Sequence, residues 1–228
     1  IIGPMFEHYM RNAMLALMAD KDNPGTLVEI PKMFTDPSFL QERLKKVSDP
    51  IVKSFWLKEW AATTGSTRSD MLGYVVSKLG RFIENEMMRN IIGQSHSGFD
   101  LAKIMDEKKI FLANLSKGLT GEVNSSLLGL ILVSKIQMAA MRRARISEDQ
   151  RTDFYLYIDE FQNFTTDSIA TILSEARKYK LNLIMAHQYM PQLKQEIRDA
   201  VLGNVGTIGA FRLGAEDAEN LEKQFEPG

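Results

Sequence analysis

The sequence predicts an α/β chain in which an all-helical amino-terminal part precedes a parallel-sheet part. Three observations carry this reading. Residues 1 to about 95 place apolar side chains at helical intervals between turn clusters. Beyond them, short apolar runs alternate with helical segments, which is the grammar of a parallel sheet with crossover helices. Three of those runs end in polar residues: Asp159-Glu160, His187-Gln188 and Arg212. Ligands on parallel sheets bind at the carboxyl ends of strands, so these ends point to one site.

In the helical part, Met5 to Met18 reads as an amphipathic helix that stops at the turn cluster Asp20 to Gly25. Thr26 to Ile30 is expected as a short extended piece before Pro31. Asp36-Pro37 and Asp49-Pro50 each offer an N-cap followed by proline at the first helical position, opening helices over Phe39–Val47 and Ile51–Ala62. Trp56 and Trp60 lie four residues apart and read as core anchors rather than base-stacking platforms. After a polar break over Thr63 to Ser69, Met71 to Arg89 reads as one helix, and Ile91-Ile92-Gly93 ends the run. Gly93 to Gly98 is the compositional boundary.

In the second part, Phe99 to Asp106 reads as a helical turn and Lys109 to Ser116 as a buried strand. Gly118 to Asn124 is expected as a loop and Ser125 to Arg145 as a long helix. The basic run Arg142-Arg143-Ala144-Arg145 complements the negative end of that helix, with a nucleic-acid or partner contact as the other reading. A polar connection, Glu148 to Thr152, leads into Phe154–Ile158, read as a strand buried on both faces. A helix over Thr166 to Lys180, a strand over Leu181 to Ala186, a helix near Gln192 to Leu202, a strand over Val205 to Arg212 and a helix over Ala215 to Phe225 complete the pattern.

Composition sets bounds. A chain of 228 residues can hold one large domain or a core with a subdomain. No run approaches roughly eighteen uninterrupted apolar residues, so no bilayer-spanning segment is expected, and the start lacks a signal-peptide pattern. The absence of cysteine excludes disulfides and thiolate metal sites and fits a reducing cytoplasm. A net charge of −1 lacks the basic excess of a typical DNA-binding domain, so any DNA contact has to be local, as through loops lining a pore. His96 and His187 belong to no metal-spaced cluster, and Ser95-His96 with Asp100 makes no convincing triad.

Two adjacent carboxylates at a strand end need a cation, a polar partner or solvent, because burying an unpaired carboxylate is costly. Tyr157-Ile158-Asp159-Glu160-Phe161 resembles the Walker B motif of RecA-type ATPases; two solvated acids after a core strand is the plainer reading. The segments SEARKYKLNLIMAHQ and FRLGAEDAENL follow it in order, and IGPMFEHYMRNAMLALM…GTLVEIPKMFTD precedes it. Together they resemble the hexameric HerA/FtsK-type translocases, in the branch of conjugation and type IV secretion coupling proteins.

The resemblance implies residues 1–95 as an all-helical subdomain and 96–228 as the carboxyl-side half of a RecA-like ATPase core. It implies ATP and Mg²⁺ as cofactors. Asp159 would serve the metal shell, Glu160 would activate water, and Gln188 would sense the γ-phosphate or orient water. Arg177 would act in trans, with Arg212 as its rival. The implied partners are other copies in a hexameric ring, DNA through pore loops, and secretion-system or relaxosome proteins. The implied location is cytoplasmic, or the inner face of the membrane through a segment outside this chain.

One departure is plain. The phosphate loop G-x-x-x-x-G-K-[ST] is missing, and Gly118-Leu119-Thr120-Gly121 lacks its spacing and ending. In the resembled family that loop lies upstream. The ends Ile1-Ile2-Gly3 and Glu226-Pro227-Gly228 suggest a fragment, expected to be inactive by itself. Two other readings stay open: a non-catalytic ATPase-like docking module, and a different α/β enzyme using Asp159 and Glu160 as acid and base.

Overall fold

A computed structural model describes residues 3–165 and 167–222. Its contacts divide the chain into two compact units, Ile1–Gly98 and Phe99–Gly228.

The first unit is helical. Helix α1 spans Pro4–Met18, and α2, Ile30–Thr35, follows a 3₁₀ turn over Leu27–Glu29. Thr26 to Ile30 is therefore not extended. The Thr26 side chain accepts from the backbone of Glu29, and the Glu29 carboxylate accepts from Thr26 N at 2.7 Å, a reciprocal cap that nucleates the turn. Helix α3 is Pro37–Leu44; α4, Pro50–Ser54, continues as a π-helix over Phe55–Trp60. The Asp36 carboxylate accepts from Ser38 N and Phe39 N, and that of Asp49 accepts from Ile51 N and Val52 N. Both aspartate–proline caps act as the sequence reads. Helix α5 is Gly65–Ile83 and α6 is Glu86–Ile92. The single helix expected over Met71–Arg89 is broken because the Asn85 side chain accepts from Met88 N and starts a new helix.

The π-helix brings Phe55, Trp56 and Trp60 onto the buried face beside Tyr9 and Phe34. Tyr9 meets Phe55 edge-on at 5.2 Å between ring centroids, and Phe34 meets Trp60 at 5.1 Å. Such geometry matches the ring quadrupoles. Trp56 and Trp60 are core anchors.

The second unit opens with α7, Leu101–Asp106, capped by Asp100. Residues 109–116 are irregular, and the expected buried strand is absent: Ile110 and Leu112 are 90% and 89% exposed, whereas Phe111 and Leu115 are half-buried. Only Phe111 and Leu115 turn partly inward, with Ala113 between them exposed, and no neighbouring strand among the described residues supplies a hydrogen-bonding edge. A one-turn helix α8, Lys117–Thr120, replaces the expected loop. Gly121, at φ 80°, turns the chain into α9, Glu122–Arg142, at a backbone angle that glycine adopts without strain.

Residues Glu122–Arg145 form the one described segment long and apolar enough to cross a membrane. One stripe of it, Ser125, Gly129, Val133, Ile136 and Ala140, is buried, with Val133, Ile136 and Ala140 in the unit's core, while Val123, Met138 and Met141 are exposed. Arg143, in the 3₁₀ turn that ends α9, is 3% exposed. Its guanidinium donates to Asp106 Oδ1 at 2.8 Å, to Thr152 O at 2.7 Å and to Tyr179 O at 3.1 Å. The middle of the basic run thus ties α7, the β1 approach and the β2 approach together, rather than capping a dipole or facing a nucleic acid.

Strands β1, Phe154–Ile158, and β2, Leu181–Met185, form a two-stranded parallel sheet in the register Phe154↔Leu181 to Ile158↔Met185. Strand β1 is buried on one face only. Phe154, Leu156 and Ile158 face the core, while Tyr155 and Tyr157 are 57% and 72% exposed. Helix α10, Asp167–Glu175, and a 3₁₀ turn over Ala176–Tyr179 connect the strands. Helices α11, Gln195–Asn204, and α12, Ala215–Glu222, follow. The strand expected over Val205–Arg212 is irregular, with Phe211 98% exposed and no ladder partner among the described residues. The described sheet thus has two strands, without the two others that the pattern predicts over 109–116 and 205–212.

Candidate functional site

The parallel register decides what meets at the sheet's carboxyl end. Ile158 pairs with Met185, so the residues after each strand leave side by side. The ladder continues past both strands: Ala186 N donates to Ile158 O at 3.0 Å, and Phe161 N donates to Ala186 O at 3.0 Å. Asp159 and Glu160 are thereby held beside His187 and Gln188.

Glu160 occupies the left-handed region, at φ 50° and ψ 44°. Such a conformation is uncommon for a residue other than glycine and persists where surroundings fix it. They do so here on both carboxylate oxygens. Gln188 Nε2 donates to Glu160 Oε1, and Gln162 Nε2 donates to Glu160 Oε2 at 2.6 Å. Asp159 is exposed, and its Oδ1 accepts from Glu160 N at 2.9 Å. Asn163 Nδ2 donates to Glu160 O at 3.1 Å and closes the turn.

These groups line a cavity of about 570 Å³. Ser116, Lys117, Asp159, Glu160, Asn163 and Gln188 form its polar wall, and Val133, Ile136, Leu156 and Ile158 are on its apolar side. Helix α9 approaches the motif closely because residue 129 is glycine. A Cβ there would lie 2.1 Å from Phe164 Cδ1, on the turn that follows Glu160. Overpacking costs about 1–3 kcal/mol, against the ~1 kcal/mol that alanine gains in helix propensity. Gly129→Ala is expected to lower the chemical-denaturation midpoint, because the added Cβ overlaps the Phe164 ring. An unchanged or raised midpoint would show that the turn adapts freely.

Of the five residues singled out by sequence, the structure brings three together: Asp159, Glu160 and Gln188. Arg177 is exposed in the 3₁₀ turn that leads to the amino end of β2. Arg212 is exposed in the irregular segment after α11 and so does not stand at a strand end. Neither arginine lines the cavity. Sequence reasoning missed Lys117 and Asn163. Asn163 stands two residues beyond the Tyr157–Phe161 motif and was readable by proximity; Lys117 carries no local signal.

Among the described residues, no group of three His, Cys, Asp or Glu side chains could cage a metal. One exposed carboxylate is the donor set suited to Mg²⁺ that keeps waters and phosphate oxygens as its other ligands. Gln162 Oε1, on the amide that holds Glu160, is buried without a donor among the described residues.

Comparison with known families bears on the same stretch. Residues 153–223 match the family model described as the TraM recognition site of TraD and TraG. The match runs from the start of β1 through α12, and it supports the conjugation coupling-protein branch of the resemblance. No curated protein and no solved structure matches the chain.

Proposed function

We propose that this chain is the Walker B half of an ATP-driven motor of the conjugation coupling kind, acting in a hexameric ring on DNA or a DNA–protein substrate. The observation that carries the proposal is the Glu160 carboxylate, held by the Gln188 and Gln162 amides at the cavity wall beside Asp159. The family match over the same residues is the independent support.

In this reading Asp159 would hold Mg²⁺. Glu160 accepts a proton from the attacking water, and the amides on its two oxygens fix the direction in which it does so. Gln188 can accept from water and donate to an oxyanion with one amide group, so it couples the occupied site to the β2 end. ATP with Mg²⁺, when bound, supplies the electrophilic phosphorus and the counter-charge. The apolar wall excludes water from one side of the site. The phosphate loop comes from an upstream segment, as the resemblance implies. The helical unit carries substrate selection. The surface of residues 153–223 takes a relaxosome partner of the TraM type, at the inner face of the membrane.

Steady-state ATP hydrolysis by the full-length protein, with and without DNA, tests the proposal. Mg²⁺-dependent turnover stimulated by DNA is expected. Absence of turnover under both conditions, with TraM-type binding retained, would favour a docking module instead.

A further inference from the structure

Asp159, Glu160 and Lys117 are the charged residues of the cavity wall. Two carboxylates alone repel a polyphosphate, and a cationic side chain at the wall would offset that charge beside Mg²⁺. Lys117 follows the irregular segment 109–116 and is distant in sequence from the turn that carries Glu160. Its Nζ donates to Asn163 Oδ1 at 2.9 Å and to Glu122 Oε1 at 3.2 Å. The same Asn163 donates its Nδ2 to Glu160 O at 3.1 Å. One amide thus connects the ammonium to the backbone of the proposed base.

The partners of Lys117 hold it weakly. Asn163 is neutral, and the Glu122 side chain is 76% exposed, so that ion pair competes with water. The ammonium can leave both for a stronger acceptor. A lysine ammonium is a compact point charge on a flexible stem and binds phosphate oxygens without demanding a fixed plane.

We propose that Lys117 is a phosphate-binding residue of this site, contacting the terminal phosphate of a nucleoside triphosphate at the wall it shares with Asp159 and Glu160. Asn163 keeps it at the cavity wall until the anion arrives. This inference rests on the ATPase reading above. It adds a cation that is supplied by this chain and is separate from any phosphate-loop lysine.

The test uses the full-length protein with Lys117→Gln, Lys117→Arg and Glu160→Gln. Equilibrium binding of a fluorescent non-hydrolysable ATP analogue and of fluorescent ADP is measured with Mg²⁺. Loss of one charged hydrogen bond is expected to weaken triphosphate binding about tenfold in Lys117→Gln. Diphosphate binding should be unchanged, which also reports correct folding, and Lys117→Arg should restore most of the affinity. In turnover, KM should rise more than kcat falls. Unchanged triphosphate affinity, or an equal loss of both nucleotides, overturns the assignment. Blocked turnover in Glu160→Gln together with unchanged affinity in Lys117→Gln removes Lys117 alone. Normal turnover in Glu160→Gln removes the ATPase reading and this inference with it.

Discussion

Glu160→Gln in the full-length protein is expected to bind ATP normally and to hydrolyse it about 10²–10⁴-fold more slowly. The substitution keeps side-chain size and removes the proton acceptor. Gln188 and Gln162 now donate to the two carboxylate oxygens. An amide at position 160 keeps one acceptor and loses the other, so one of these contacts weakens while the left-handed backbone and the Phe161–Ala186 ladder bond remain. Binding and turnover should therefore separate. If Glu160 were only a solvated acid at a strand end, turnover would be unaffected and stability would change by no more than about half a kcal/mol. Nucleotide binding and steady-state hydrolysis on the same preparation distinguish the two.

The second large effect concerns Arg177. It precedes β2, and the cavity lies beyond the carboxyl ends of the strands. The five residues of β2 span about 17 Å at ~3.3 Å per residue. An exposed guanidinium at the opposite edge cannot cover that distance within one subunit. In a ring, the same edge can face the neighbour's nucleotide, where an arginine stabilises charge on the transferring phosphoryl group. Arg177→Ala is expected to bind ATP and to lose about a thousandfold in turnover. Mixing with Glu160→Gln subunits should restore part of the activity, because each variant supplies what the other lacks. If Arg177 only complements the end of its helical segment, its removal costs about 0.3–1 kcal/mol of stability and leaves hydrolysis intact. That result would pass the role to Arg212, tested in the same mixed rings.

The site was legible in sequence where it depends on strand ends. Phe154–Ile158 and Leu181–Met185 are short apolar runs joined by a helical crossover, so their following residues, Glu160 and Gln188, were bound to be neighbours once the strands paired in parallel. The Asp36 and Asp49 caps were legible because capping is local. What escaped is non-local. Arg143 reads as a helix-end charge from its neighbours in sequence, and its burial follows from Asp106, Thr152 and Tyr179, none of them within eight residues of it. Lys117 reaches the cavity only through the course of residues 109–116, whose strand pattern finds no ladder partner among the described residues. The run 205–212 fails in the same way. A period-two pattern states which side chains alternate, and a strand also needs an edge to bond to.

The most direct measurement is a structure of the full-length protein with Mg²⁺ and a non-hydrolysable ATP analogue. The account predicts the terminal phosphate in the cavity between residues 115–117 and the Walker B turn. The metal should lie on Asp159, with Glu160 and Gln188 within hydrogen-bonding reach of the attacking position. A nucleotide bound with its phosphates away from this cavity, or a metal shell without Asp159, would contradict it.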